Sequence, residues 1–210
     1  IAALSHDVRT PLSSIKGYVV QLLRKGDRLD SKTKEECLKI TNSEIDRLTR
    51  LLNNLQTLSR LNSGQLLLRP TVVNLYRLIR KVVELNQVNL SRHTIQSSIT
   101  EDVPDVLADP DQVEQVLNNL LSNAVKYSPE GGRIFLRCEI RDGFAEFCVE
   151  DEGVGISPEE REKIFEQYHR SEKTRSIAGS GLGLYITKKI IELQGVPDRR
   201  LDGELAVGSE

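Results

Sequence analysis

The sequence predicts a two-part, multi-domain chain: an α-helical hairpin suited to pairing as a dimeric four-helix bundle, then an α+β domain. Apolar residues recur at steps of three and four through about Leu61. The stretch "NSGQLLLRP" then breaks that pattern around Gly64. Beyond it, short strand candidates alternate with amphipathic helices. The expected division is a hairpin over 1–65 and a second domain over 66–210.

In the first helix Leu4, Val8, Leu12, Ile15, Val19 and Leu22 form the apolar stripe. A turn signal, "KGDRLDS", follows. The second helix is expected from about Lys32 to Leu61, with Leu38, Thr41, Ile45, Leu48, Leu52 and Leu55 in 3-4 alternation. That alternation is a heptad seam. One hairpin cannot bury two wide stripes, and a second copy completing a four-helix bundle would.

In the second part, Asn74 to about Leu90 reads as helix, and "TIQSSIT" and "DVLAD" as short strands. Asp111 to Tyr127 is an amphipathic helix. "GGRIFLRCEI" and "FAEFCVE" form a hairpin turning at Asp142-Gly143. A glycine-rich loop then precedes a helix from about Leu182 to Leu193.

Composition excludes several classes. The net charge of -2 over 210 residues gives no footprint for nucleic acid. No apolar run is long enough to span a bilayer, and no signal peptide is visible. The chain begins at Ile1 inside a helical pattern and has no methionine, so it reads as a fragment whose parent has room for a membrane anchor. Cys37, Cys138 and Cys148 lack metal-site spacing. Strand alternation puts Cys138 and Cys148 on opposite faces, so free thiols in the cytoplasm are expected.

Within "LSHDVRTPLSSIKGY", a wheel of ~100° per residue sets His6 opposite the apolar stripe, with Thr10 one turn along the same face. Histidine is the side chain that offers a neutral, nucleophilic ring near pH 7. Asp7 can hydrogen-bond that ring or accept its proton. Pro11 cannot donate to the carbonyl of Asp7, so the helix is expected to loosen beside His6. By itself, a surface histidine beside an aspartate is an ordinary solvated pair.

Three segments of the second part look built for a nucleotide. Asn119, Asn123 and Lys126 line one polar edge of their helix, opposite the arc of Val113, Val116, Leu117, Leu120, Leu121 and Ala124. Amide oxygens suit Mg²⁺, and an ammonium suits phosphate. In "EDEGVGIS", Asp151 ends a strand, and Gly153 and Gly155 permit a tight turn and a close ligand. In "GSGLGLYITKKII", Gly179, Gly181 and Gly183 stand at a helix mouth, where bare N–H groups bind phosphate. This is neither the dinucleotide fingerprint nor a Walker loop.

Taken in order, these pieces resemble the catalytic core of bacterial sensor histidine kinases. "SHDVRTPL" resembles the H box, "NLLSNAVKYS" the N box, "DEGVGI" the first glycine box, "IFEQYHR" the F box and "GSGLGL" the second glycine box. The resemblance covers residues 1 to about 194. It implies a dimerisation and histidine-phosphotransfer hairpin, then an α/β sandwich of the gyrase, chaperone and histidine-kinase type that binds ATP with Mg²⁺. It implies that His6 accepts the phosphoryl group, that Asp7 is its acid–base partner and that Thr10 serves phosphatase activity. Asn123 would be the Mg²⁺ ligand, with Asn119 one turn earlier. Lys126 would contact phosphate, Tyr127 the adenine side, and Asp151 the adenine itself. Gly153, Gly155, Gly179, Gly181, Leu182 and Gly183 would form the glycine boxes around the nucleotide. Arg170 would lie near the phosphates, and Glu172 to Ser180 would be the ATP lid. A response-regulator aspartate would receive the phosphoryl group.

The family continues past the last helix into two more strands, whereas "VPDRRLDGELAVGSE" has almost no strand character. Either those strands are absent from this fragment or further residues intervene near Val196. Two other functions compete. A gyrase- or chaperone-type ATPase machine lacks the histidine hairpin, which His6 and Pro11 mark here. A non-catalytic regulator-binding dimer would have lost Asn123 or Asp151, and both are present.

Overall fold

The computed structural model describes residues 2–88, 90–141, 143–171, 174, 177 and 179–195. They fall into two compact units, divided between Gln65 and Leu66.

The first unit is two helices, α1 (Ala2–Lys25) and α2 (Ser31–Asn62), joined by a 3-10 turn at Gly26–Arg28. Asp30 starts α2: its carboxylate accepts from the Thr33 N–H at 2.9 Å and the Thr33 hydroxyl at 2.8 Å. These bonds, the backbone one foremost, hold the Asp30 carboxyl below its ordinary range. Helix α1 runs unbroken through Pro11, whose ring is fully buried. The proline removes a hydrogen bond but is itself packed, so the expected loosening does not interrupt the helix.

The helix pair covers only part of the predicted seam. Cys37, Leu51 and Leu58 of α2 are buried, yet Leu38, Ile45 and Leu52 remain 59%, 47% and 61% exposed. Leu12, Val19 and Leu23 of α1 are exposed as well. The apolar arc of α2 is therefore wider than one neighbouring helix can cover.

The second unit is a two-layer α/β sandwich. It opens with β1 (Thr71–Val73), paired antiparallel with β3 (Val106–Ala108). Three residues are too few for strand alternation to register, so β1 was not foreseen from the sequence. Asn74 caps α3 (Leu75–Gln87) by accepting from the Arg77 N–H at 2.9 Å. Helix α3 ends short of Leu90.

The main sheet has the order β2 (His93–Ser98), β4 (Gly132–Arg141), β5 (Phe144–Asp151). β2 runs parallel to β4, and β5 antiparallel to it. Parallel neighbours need a crossover, and α4 (Pro110–Tyr127) supplies it. Asp109 both caps α4 and ties down the chain entering the unit: Oδ1 accepts from the N–H groups of Asp111 and Gln112, and Oδ2 from that of Arg69 at 2.8 Å. Pro110 at the first helical position loses no bond it would have made.

Helix α4 lies between α3 and α5 (Gly183–Leu193), and the helices cover one face of the sheet. Ile134, Leu136 and Cys138 of β4, Leu117 and Leu121 of α4, and Ile186 and Ile190 of α5 are all buried in the core. Each fully buried Leu or Ile contributes ~1.5–3 kcal/mol relative to exposure. The β4–β5 hairpin closes from Arg141 to Phe144, with Gly143 at φ +82°; Asp142 lies outside the described residues. All three cysteines are free. Burial pushes the Cys138 thiol up to about 11. Residues 196–210, where the last strands are in question, lie outside the described residues.

Candidate functional site

On α1, the His6 side chain is 78% exposed, and its Nδ1 lies 3.6 Å from Asp7 Oδ1. Asp7 is only 13% exposed, so the carboxylate backs the ring while the opposite ring edge faces out. The Thr10 hydroxyl, also exposed, donates to the His6 carbonyl at 3.1 Å. This bond leaves the hydroxyl's lone pairs open.

In the second unit, α4 gathers the three nucleotide segments along its polar edge. Asn119 Nδ2 lies 3.4 Å from the Gly183 carbonyl and 3.5 Å from Thr187 Oγ1, joining α4 to the first turn of α5. Asn123, one turn on, is half-buried, and its amide makes no side-chain hydrogen bond among the described residues. The Lys126 ammonium sits against Gly179, where a side chain would collide with it. It also donates to the Tyr127 hydroxyl at 2.8 Å and lies 4.3 Å from that ring's centroid.

Tyr127 and Asp151 meet at the first glycine box. The Val154 N–H donates to the Tyr127 carbonyl at 3.1 Å. Asp151 Oδ1 accepts from the Gly153 N–H at 2.9 Å and from the Ser128 hydroxyl at 3.2 Å. A side chain at residue 153 would run into the Tyr127 carbonyl, Asp151 Oδ1 and Ser128 Oγ, so only glycine lets these groups converge. Asp151 Oδ2 has no hydrogen-bond partner among the described residues and is left for a donor from outside.

Gly181 takes φ +66°, and a Cβ there would strike the backbone of Tyr168 and His169. The Tyr168 N–H donates to the Gly181 carbonyl at 3.0 Å, and Tyr168 itself has φ +65°. The F-box segment is thus laid directly on the second glycine box, a contact sequence spacing did not reveal. Leu182 is fully buried, so anything it offers a ligand comes from its backbone. Gly155 adopts φ +64° in the first box turn. Arg170 donates to the Ile177 carbonyl at 2.7 Å, across the span of the expected lid. Of that span, Glu172, Lys173, Arg175, Ser176 and Ala178 lie outside the described residues.

Ser128 also escaped the sequence reading. It is 2% exposed and holds Asp151 from a helix end 23 positions earlier. Nothing local in "KYSPEGG" marks that partnership.

This donor set fits a nucleotide triphosphate. It offers a carboxylate oxygen without a protein donor for an amino group, an ammonium for phosphate, and glycines that let a ligand reach the backbone. Among the described residues no three His, Cys, Asp or Glu side chains converge. A divalent ion here would therefore take an amide oxygen, phosphate oxygens and water, the hard set that Mg²⁺ prefers.

An exposed histidine on a helical hairpin, in one chain with an α/β unit that carries this donor set, matches a two-component kinase core. The comparisons agree. Residues 1–64 match the His Kinase A (phospho-acceptor) domain, and residues 108–210 the histidine kinase-, DNA gyrase B- and HSP90-like ATPase family. The chain is 35% identical over 204 residues to drug sensory protein A of Synechocystis, covering 91% of this chain and 31% of that protein. It is 31% identical over 203 residues to the sensor histidine kinase WalK of Bacillus subtilis, covering 93% and 33%. The solved histidine kinase ThkA, in complex with response regulator protein TrrA, superposes with a TM-score of 0.58 at 28% identity, covering 92% of this chain and 54% of that one. The chain belongs to the sensor histidine kinases, and its second unit is an ATP-binding domain. It spans about a third of the length of these two relatives.

Proposed function

We propose that this chain transfers the γ-phosphoryl group of ATP to His6 and then to an aspartate of a response regulator. The observation that carries this reading is the exposed His6 ring with the Asp7 carboxylate on its Nδ1 side, in one chain with an ATPase-family domain. With the Nδ1 proton turned toward Asp7, Nε2 keeps its lone pair outward. In-line attack forms the N–P bond as the bond to the ADP oxygen breaks, and Asp7 stabilises or accepts the Nδ1 proton. Lys126 offsets phosphate charge, and Asp151 Oδ2 accepts from the adenine amino group. Asn123 would hold Mg²⁺, which supplies charge neutralisation on the phosphates when bound. Arg170 and the glycine boxes would complete the phosphate side.

ThkA's complex with TrrA supports a receiver-domain partner for this chain too. The phospho-acceptor match and the half-covered heptad rows support a homodimer through the hairpin. Thr10, beside His6, would position water against the regulator's aspartyl phosphate. No helix of the described residues is long and apolar enough to cross a membrane.

The test is a time course with γ-labelled ATP and Mg²⁺, chased with a purified receiver domain. Label should appear on the chain first and then move to the receiver. A receiver labelled without a labelled kinase intermediate would overturn the route through His6.

A further inference from the structure

We infer that His93 is a positioning residue of the nucleotide site: it caps the C-terminal end of α4 from the neighbouring strand and thereby sets Ser128 and, through it, Asp151. The inference rests on the adenine-accepting role proposed for Asp151.

His93 is the first residue of β2, opposite Gly132 at the start of β4. Gln87 fixes this strand end from two sides: its amide donates to the His93 carbonyl at 3.1 Å and accepts from the Ile95 N–H at 2.7 Å. So held, the imidazole Nε2 stands 2.8 Å from the Ser128 carbonyl. A carbonyl only accepts, so Nε2 carries the proton. Ser128 is the first residue past α4, where carbonyls lack helical partners and the helix dipole is negative. An N–H from outside the helix answers both needs. The Ser128 carbonyl is further held by the Gly131 N–H at 3.0 Å. On the other side of the residue, the buried Ser128 hydroxyl reaches Asp151 Oδ1. One unbroken path therefore runs from His93 to the carboxylate that faces the base. His93 lies in none of the kinase motifs and takes no part in the proposed chemistry.

The experiment compares ATP and GTP binding by calorimetric titration, in the unmodified chain and in His93→Phe, each with Ser128 present or replaced by Ala. Phenylalanine keeps a ring and loses the N–H. The unmodified chain should prefer ATP. His93→Phe should reduce that preference by roughly three- to ten-fold, the net worth of one hydrogen bond. In the Ser128→Ala background it should reduce the preference no further, because the path is already cut. An unchanged preference, an equal loss for both nucleotides, or the same loss in both backgrounds overturns the inference. Equal ATP and GTP binding by the unmodified chain overturns the Asp151 reading itself, and this inference with it. Imidazole nitrogen NMR of the unmodified chain needs no variant. His93 should show the Nε2–H tautomer and shift with ADP but not with tripolyphosphate. An Nδ1–H tautomer, or an equal response to both, counts against it.

Discussion

Asn123 lies on α4 and Asp151 ends β5, and under the proposed roles their losses should differ in kind. Asn123→Ala should weaken ATP binding in the presence of Mg²⁺ while sparing the preference for adenine. Asp151→Ala should erase the preference between ATP and GTP, because the unpartnered Oδ2 is what would discriminate a base amino group. Titrations with both nucleotides, with and without Mg²⁺, separate the two. Thr10→Ala should leave self-labelling intact and slow decay of the regulator's phosphate. The Thr10 hydroxyl donates to the His6 carbonyl yet keeps acceptor capacity on the exposed face. Unchanged decay with collapsed labelling would assign Thr10 to supporting the helix around His6. Cys138 should resist alkylation at pH 8, because burial keeps its thiol protonated up to about 11. The half-buried Cys148 should label first, as peptide mass spectrometry would report. Asn123, Asp151 and Thr10 stand out as candidates in the sequence because each lies in a local motif. Ser128 and His93 were not, because their roles depend on pairings 23 and 35 residues distant.

At the level of elements, the heptad seam of α2 was legible as a seam, but not how much of it the hairpin consumes. That division depends on the width of the facing helix. In the structure it leaves Leu38, Ile45 and Leu52 open at seven-residue spacing. Leu52→Glu should therefore spare the hairpin and disrupt the homodimer. Burying a leucine contributes ~1.5–3 kcal/mol, which a pair of such sites doubles across a two-fold axis. Sedimentation at micromolar concentration should show the unmodified chain as a dimer and Leu52→Glu mostly as monomer; a Leu52→Glu dimer of undiminished strength would place the interface elsewhere. The hairpin of β4 and β5, whose last residue is Asp151, is readable from the apolar alternation of Ile134, Leu136 and Cys138 and from the turn at Gly143. β1 was not, since three residues after Pro70 hold no period and their partner β3 is remote in sequence. The 3-10 turn at Lys163–Phe165, which overlaps the start of the F box, likewise has no periodicity to betray it.

For the whole molecule, the proposed function divides labour between two units: one would present a nucleophile, the other would bind and orient ATP. That division makes acceptor and binding site separable by mutation. The decisive measurement is labelling of His6→Gln with γ-labelled ATP and Mg²⁺, alongside its ATP affinity and the acid and base stability of the label on the unmodified chain. ATP affinity should be unchanged by His6→Gln, that variant should take no label, and the label on the unmodified chain should be lost in acid and kept in base. Persistent labelling of His6→Gln, or an acid-stable label on the unmodified chain, would contradict it and point to a different acceptor.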